Sequence, residues 1–130
     1  MPRPASKHPT ELELEILKIL WRDGPGTVRQ VREALEGQRK LAHTSVMTIL
    51  GIMADKGYVR RKELPAGYVY SARVTQRKTV RQMLGDVVQR ALDGSTFDAM
   101  THLLDSAELD DEELKQLRRL LRDKQKETER

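Results

Sequence analysis

Residues 42–57 read AHTSVMTILGIMADKG, and no other stretch limits the possible folds so tightly. Val46, Ile49, Leu50 and Met53 are spaced so that they line up as one apolar stripe on a helix. The other side carries Thr44, Ser45, Met47, Thr48, Gly51 and Asp55, with no bulk to keep another molecule away. Lys56 in the last turn and Gly57 behind it form a stop signal. The next stretch, YVRRKELPAGYVYSARV, changes from a helical to an alternating period. A helix with a slim polar face and a basic hairpin directly after it fit an element lying in a DNA major groove with a clamp beside it. A half-buried helix leading into a two-stranded turn satisfies the same pattern.

The segments upstream build towards that helix. Thr10 and Glu13 have capping-box spacing at the head of a helix whose apolar face holds Leu12, Ile16, Leu17, Ile19, Leu20 and Trp21. Glu11, Glu13 and Glu15 sit where the helix dipole favours acids. The single Trp, at the helix end, reads as a core anchor rather than a binding residue. DGPG, residues 23–26, stops the helix. Thr27 caps a short second helix with Val28, Val31, Ala34 and Leu35 inward, Arg29 and Arg32 outward, and Gly37 at its end. The loop QRKLA then leads into residues 42–57, which makes a helix-turn-helix. Arg39 and Lys40 in that turn are placed either to touch phosphates or simply to be solvated. Residues 1–8 are Pro-rich, polar and expected to be loose.

In the hairpin, Tyr58, Arg60 and Lys62 alternate with Val59 and Arg61, LPAG turns the chain, and Tyr68, Val69 and Tyr70 return. Pro65 and Gly67 suit the turn. Arg60, Arg61 and Lys62, with Arg73 nearby, are residues that phosphate contacts would use. They equally suit a solvated strand edge, which lysine and arginine guard.

The remaining chain is about 50 residues of amphipathic helix with no strand pattern. Thr75 caps a long helix bearing Val80, Met83, Leu84, Val87, Val88, Ala91 and Leu92, stopped by Gly94. FDAMTHLLDS carries Phe97, Met100, Leu103 and Leu104. Asp110 and Glu113 form a second capping box ahead of Leu114, Leu117, Leu120 and Leu121. Asp111, Glu112 and Glu113 at that helix start, and Arg118, Arg119, Arg122 and Lys124 near its end, match the dipole. The last residues, KQKETER, are expected to fray. Short helices with this much apolar stripe bury it inefficiently alone. A second copy related by a two-fold axis would cover it, through Val80, Met83, Leu84, Val87, Val88, Leu92, Leu103, Leu104, Leu114, Leu117 and Leu121. The alternative is that these helices fold back onto the front half.

Composition narrows the function classes. Charged residues make up 34% and hydrophobic residues 38%, with only 4% aromatic, so the core must be aliphatic and economical. Residues 1–80 hold 15 Lys+Arg against 8 Asp+Glu, a net +7, and residues 81–130 hold 9 against 12, a net −3. A basic front and an acidic back fit a front that meets a polyanion. Cysteine is absent, which removes disulfides and cysteine-ligated metals and fits a reducing compartment. The N-terminus has no apolar h-region and no apolar run is long enough to cross a bilayer, so a cytoplasmic protein without membrane insertion is expected. His8, His43 and His102 share no metal-ligand spacing, there is no Gly-rich phosphate loop, and the carboxylates read as lying on solvated faces or at helix starts. No enzyme and no cofactor are therefore expected. A winged-helix module used only for protein contacts is the rival reading, and it would carry a neutral or acidic wing.

The segments TELELEILKILWRDGPGTVRQVREAL, LAHTSVMTILGIMADKGYVRRKE and GYVYSARVT, in that order, resemble the penicillinase and methicillin-resistance repressor family (BlaI, MecI and CopY type) over roughly residues 9–122. The resemblance implies a mainly α protein: a winged helix-turn-helix DNA-binding domain with a small β-hairpin wing over 9–75, then a helical dimerisation domain over 76–124. It implies a homodimeric bacterial repressor on a palindromic operator of double-stranded DNA. By position, the recognition helix corresponds to residues 43–56 and the wing to 58–74. Thr44, Ser45, Met47 and Thr48 would face base edges, and His43 would meet a phosphate or a base at the helix entry. Arg60, Arg61 and Lys62 would hold the backbone from the flanks of an uncharged PAG tip. Family members induced through a membrane sensor carry an Asn-Phe cleavage pair in the dimerisation half, and copper-responsive members carry a C-terminal cysteine motif. This chain has neither there, so a membrane sensor or protease as inducer is left open.

Overall fold

The helix start at Thr10 is closed from both sides. In the computed structural model, which describes residues 8–130, the Glu13 amide donates to the Thr10 hydroxyl at 3.2 Å and the Thr10 amide donates to the Glu13 carboxylate at 2.8 Å. The looseness expected of residues 1–7 lies outside the described residues. Helix α1 runs Glu11–Asp23 and ends at Gly24, whose φ of 81° turns the chain out of the helix. A second capping box, between Thr27 and Gln30, opens α2 (Val28–Leu35). Helix α3 (His43–Asp55) follows, then strands β2 (Val59–Leu64) and β3 (Gly67–Ala72), which pair antiparallel with Val59 opposite Ala72 and Leu64 opposite Gly67.

The wing has one strand more than its alternating pattern implies. Gly26–Thr27 forms a two-residue strand, β1, opposite Tyr70 and Val69, giving the antiparallel order β1-β3-β2. Thr27 therefore does two jobs, pairing with the wing through its backbone and capping α2 through its hydroxyl. The hairpin base is fastened to the helix-turn-helix at this point.

Three helices and the wing base share one core. Ile16, Leu17 and Leu20 from α1, Val31 and Leu35 from α2, Val46, Leu50 and Met53 from α3, and Val59 and Tyr70 from the wing are all buried. The stripe expected on residues 42–57 is the one that turns inward, with Ile49 packed at its margin. Ala34, expected inward, is exposed, because α2 is only two turns long and its core contacts come from Val31 and Leu35. Helix α2 stops at Leu35 with Glu36 as its cap, so Gly37 lies in the turn beyond the helix rather than ending it.

Trp21 sits at the margin of this core, and its indole N–H donates to the Val74 carbonyl at 2.9 Å. This fixes the end of α1 against the entry to α4 (Gln76–Ala91), where the Thr75 hydroxyl accepts the Lys78 amide at 3.2 Å. Helices α5 (Thr96–Ser106) and α6 (Asp111–Thr128) complete the chain, and the Asp110–Glu113 capping box forms at the head of α6. Residues 124–128, expected to fray, continue α6, with the Thr128 hydroxyl donating to the Lys124 carbonyl at 3.0 Å. Lys, Gln and Glu there are good helix formers even without an apolar face. The chain divides into two compact units, one ending at Val87 and the other spanning Val88–Arg130, with the division inside α4. No helix among the described residues is long and apolar enough to cross a membrane.

Replacing Trp21 by Phe keeps an aromatic side chain at the core margin but trims the indole and removes the donor to Val74. We expect a stability loss of about 1 kcal/mol, read as a lower urea midpoint by circular dichroism. Equal midpoints would show that the indole hydrogen bond does not hold α1 to the start of α4.

Candidate nucleic-acid interface

The geometry of the exposed face begins with how α3 is held. Lys56, its C-cap residue, places Nζ 3.1 Å from both carboxylate oxygens of Glu13. Glu13 is only 3% exposed, so it is a buried carboxylate, not the solvated one its position at a helix start suggests. Its capping bond to Thr10 folds it back over the helix end, and Lys56 completes its coordination. Burial holds the neighbouring Tyr58 phenol above its ordinary pKa, and the Glu13 charge adds to the rise. Gly57, at φ 85°, lets the Gly57 and Tyr58 amides reach the Ala54 and Met53 carbonyls at 3.1 and 2.9 Å. The helix thus stops sharply and the wing starts at once.

With Val46, Leu50 and Met53 turned inward, His43, Thr44, Ser45, Met47 and Thr48 are all exposed. They share the outer side of one helix, flanked by the wing. The Thr48 hydroxyl donates to the Thr44 carbonyl at 2.9 Å. Ala42, the N-cap residue, offers no side-chain acceptor, so the first-turn amides of α3 have no side-chain partner and the positive end of the helix dipole is uncovered.

The wing divides its cations between two faces. Strand alternation puts Arg60 and Lys62 on one face, opposite Ser71 and Val69, and Arg61 on the other, with Val59 and Tyr70. Arg60 and Lys62 are exposed and free of ion pairs among the described residues. Arg61 lies over the Tyr68 ring, 4.6 Å from its centroid, which restrains it on the side that faces α3. A groove lined by Thr27, Arg29, His43, Met47 and Tyr68 separates the wing from the N-terminal ends of α2 and α3. In the turn before α3, Lys40 is exposed, whereas Arg39 points back to α1, 2.9 Å from Glu15 and 3.7 Å from Glu11. A phosphate would have to compete with those carboxylates for Arg39.

Two residues of this surface were missed in the sequence. Tyr68 steadies Arg61, and the alternation that puts positions 61 and 68 on one face, as diagonal neighbours across the hairpin, could have revealed it. Ile52 is 45% exposed on α3; it falls off the inward stripe, and its being apolar there was the available signal. In the second unit, neither α5 nor α6 has a buried residue. Leu103, Leu104 and Leu121 are exposed, Phe97 is 80% exposed, and Leu114 and Leu117 are half-buried. Along α4, Val80, Leu84 and Val87 are exposed, and Met83 and Val88 are half-buried, as is Leu92 just past its end. No group of three or more metal-ligating side chains occurs among the described residues.

The penicillinase repressor family model matches residues 9–123. The transcriptional regulator BlaI of Mycobacterium tuberculosis, in strains CDC 1551 / Oshkosh and ATCC 25618 / H37Rv, is 34% identical over 103 residues, covering 78% of this chain and 75% of that protein. Among solved structures, the transcriptional regulator Tm0710 from Thermotoga maritima aligns with a TM-score of 0.47 and 16% identity, covering 93% of this chain and 77% of the other.

The Glu13–Lys56 tie generates its own test. Lys56→Met keeps the aliphatic stem but leaves Glu13 buried without its cation. The expected loss is about 2–3 kcal/mol, less than for a fully enclosed pair because Lys56 is partly open to water. An unfolding midpoint equal to that of the parent protein would contradict the role given to the pair.

Proposed function

The chain belongs to the penicillinase repressor family and is a DNA-binding transcriptional repressor; on that premise we propose that it acts as a homodimer on a palindromic operator. In this reading α3 enters the major groove with Thr44, Ser45, Met47 and Thr48 towards base edges. His43 and the uncapped first turn of α3 meet a phosphate at the helix entry. Arg60 and Lys62, together with Arg61 on the opposite wing face, hold the backbone, and Lys40 adds a contact from the turn. Arg39 contributes only where it leaves Glu15. The observation that carries this reading is the pairing of an exposed, slim, hydroxyl-lined helix face with free cations on the wing beside it.

The homodimer is supported by the apolar side chains that the second unit leaves in solvent. Phe97, Leu103, Leu104, Leu120 and Leu121 are all exposed in the single chain. Exposed apolar surface of this kind is a cost that association removes. The two-fold axis of such a dimer fits two half-sites one helical turn, or a multiple of it, apart, and we take the single turn. The releasing signal acts without the Asn-Phe pair or cysteine motif that mark the sensor-cleaved and copper-responsive types.

Affinity measured against salt, on a duplex selected from a random pool and on its scrambled control, tests the DNA reading. We expect a steep fall with salt through counterion release, and tighter binding to the selected duplex. Arg60→Ala and Lys62→Ala should weaken both duplexes alike and each lower the salt slope by about one, whereas Thr44→Ala and Thr48→Ala should change the preference between them. A flat slope or equal affinities would contradict the reading, and the opposite mutant pattern would reverse the roles.

Dimerisation has a separate check. Val87→Asp and Leu114→Asp each place an uncompensated charge in the expected interface, so sedimentation should show monomer at concentrations where the parent chain is dimeric. A dimer persisting in both variants would remove the C-terminal helices from that role.

A further inference from the structure

The composition of the exposed α3 face restricts what it can read. From His43 to Asp55 the helix contains no Arg, Lys, Asn or Gln. Those are the side chains that make paired hydrogen bonds to guanine or adenine edges. The lysine that follows, Lys56, is engaged with Glu13. The Thr48 hydroxyl donates its hydrogen to the Thr44 carbonyl, so it presents only lone pairs and a methyl group outward. Two large apolar side chains flank the Thr44–Thr48 ridge on opposite sides. Met47, 47% exposed, lies on the wing side with His43 and Tyr68. Ile52, 45% exposed, lies on the α1 side with Leu12 and Lys56. An apolar side chain on each side of a charge-free ridge suits a partner surface that carries methyl groups.

We propose that α3 recognises its operator chiefly through thymine C5-methyl groups, packed against Met47, Ile52 and the methyls of Thr44 and Thr48. The Thr48 oxygen accepts from an amino group on a base edge, and an adenine N6 amino group supplies that donor where its paired thymine supplies the methyl. The half-site is therefore rich in A·T pairs. Cations on the wing and in the turn give affinity without sequence preference, and the apolar contacts on α3 give the preference. The inference rests on the reading that α3 lies in the major groove.

The test uses the full chain and the duplex it selects from a random pool. Each thymine is replaced in turn by deoxyuridine, which keeps the base pair and removes only the methyl. At two or more positions per half-site we expect affinity to fall about three- to fivefold, the worth of one buried methyl. In Met47→Ala or Ile52→Ala, both surface changes that leave the core intact, the penalty should shrink at the positions that side chain covers. A selected duplex that is indifferent to every uracil substitution, or half-sites without thymine, would overturn the inference while leaving the repressor reading standing. Failure to select any sequence would remove both.

Discussion

The carboxylate of Glu13 joins the start of α1 to the end of α3, two places 43 residues apart in the chain. It accepts the Thr10 amide and so closes the start of α1, and it takes Lys56 at 3.1 Å through both oxygens, which holds the end of α3. Directly after Lys56, Gly57 reverses the backbone into the wing. A buried ion pair adds little net stability against an apolar replacement, but breaking it leaves an uncompensated charge, so it selects one arrangement over its neighbours. Here it fixes where α3 ends relative to α1. The apolar stripe of Val46, Leu50 and Met53 fixes which way α3 faces. Together they determine that Thr44, Met47 and Thr48 point outward.

Charged side chains surround the exposed face of α3, the proposed reading surface, and are absent from its centre. From Thr44 to Ile52 the exposed face of α3 has no charged side chain, while Lys40 precedes it and Arg60 and Lys62 follow on the wing. In the proposed reading, non-specific attraction to a phosphate backbone and discrimination between base pairs would come from different elements. The wing is a stiff support for its share. Strand β1 ties β3 to the cap of α2, Tyr70 is buried in the core, and Arg61 is restrained on the Tyr68 ring.

Features written in short-range spacing were legible in the sequence. The capping boxes at Thr10 and Asp110, the Lys56-Gly57 stop, the hairpin and the outward set from His43 to Thr48 all depend on residues a few positions apart. What escaped depended on distant partners or on segments too short to have a period. Glu13 reads as an ordinary acid at a helix start because the lysine that buries it is 43 residues away. Arg39 reads as a free loop cation because its partners Glu11 and Glu15 lie on α1, far back in the chain. Strand β1 is two residues long, and its Thr27 already had a sufficient explanation as a cap. The end of α6 has no apolar pattern to mark it, and its helix rests on propensity and on local contacts such as the exposed Lys124–Glu127 pair.

The central claim is that two copies of α3 enter successive major grooves on one side of the duplex. Methylation interference at guanine N7, an atom that opens only into the major groove, measures this directly on a selected operator carrying guanines across both half-sites. The account predicts two patches of interference centred about 10 base pairs apart and symmetric about the operator centre. A single patch, or binding indifferent to every N7 methyl group, would contradict it.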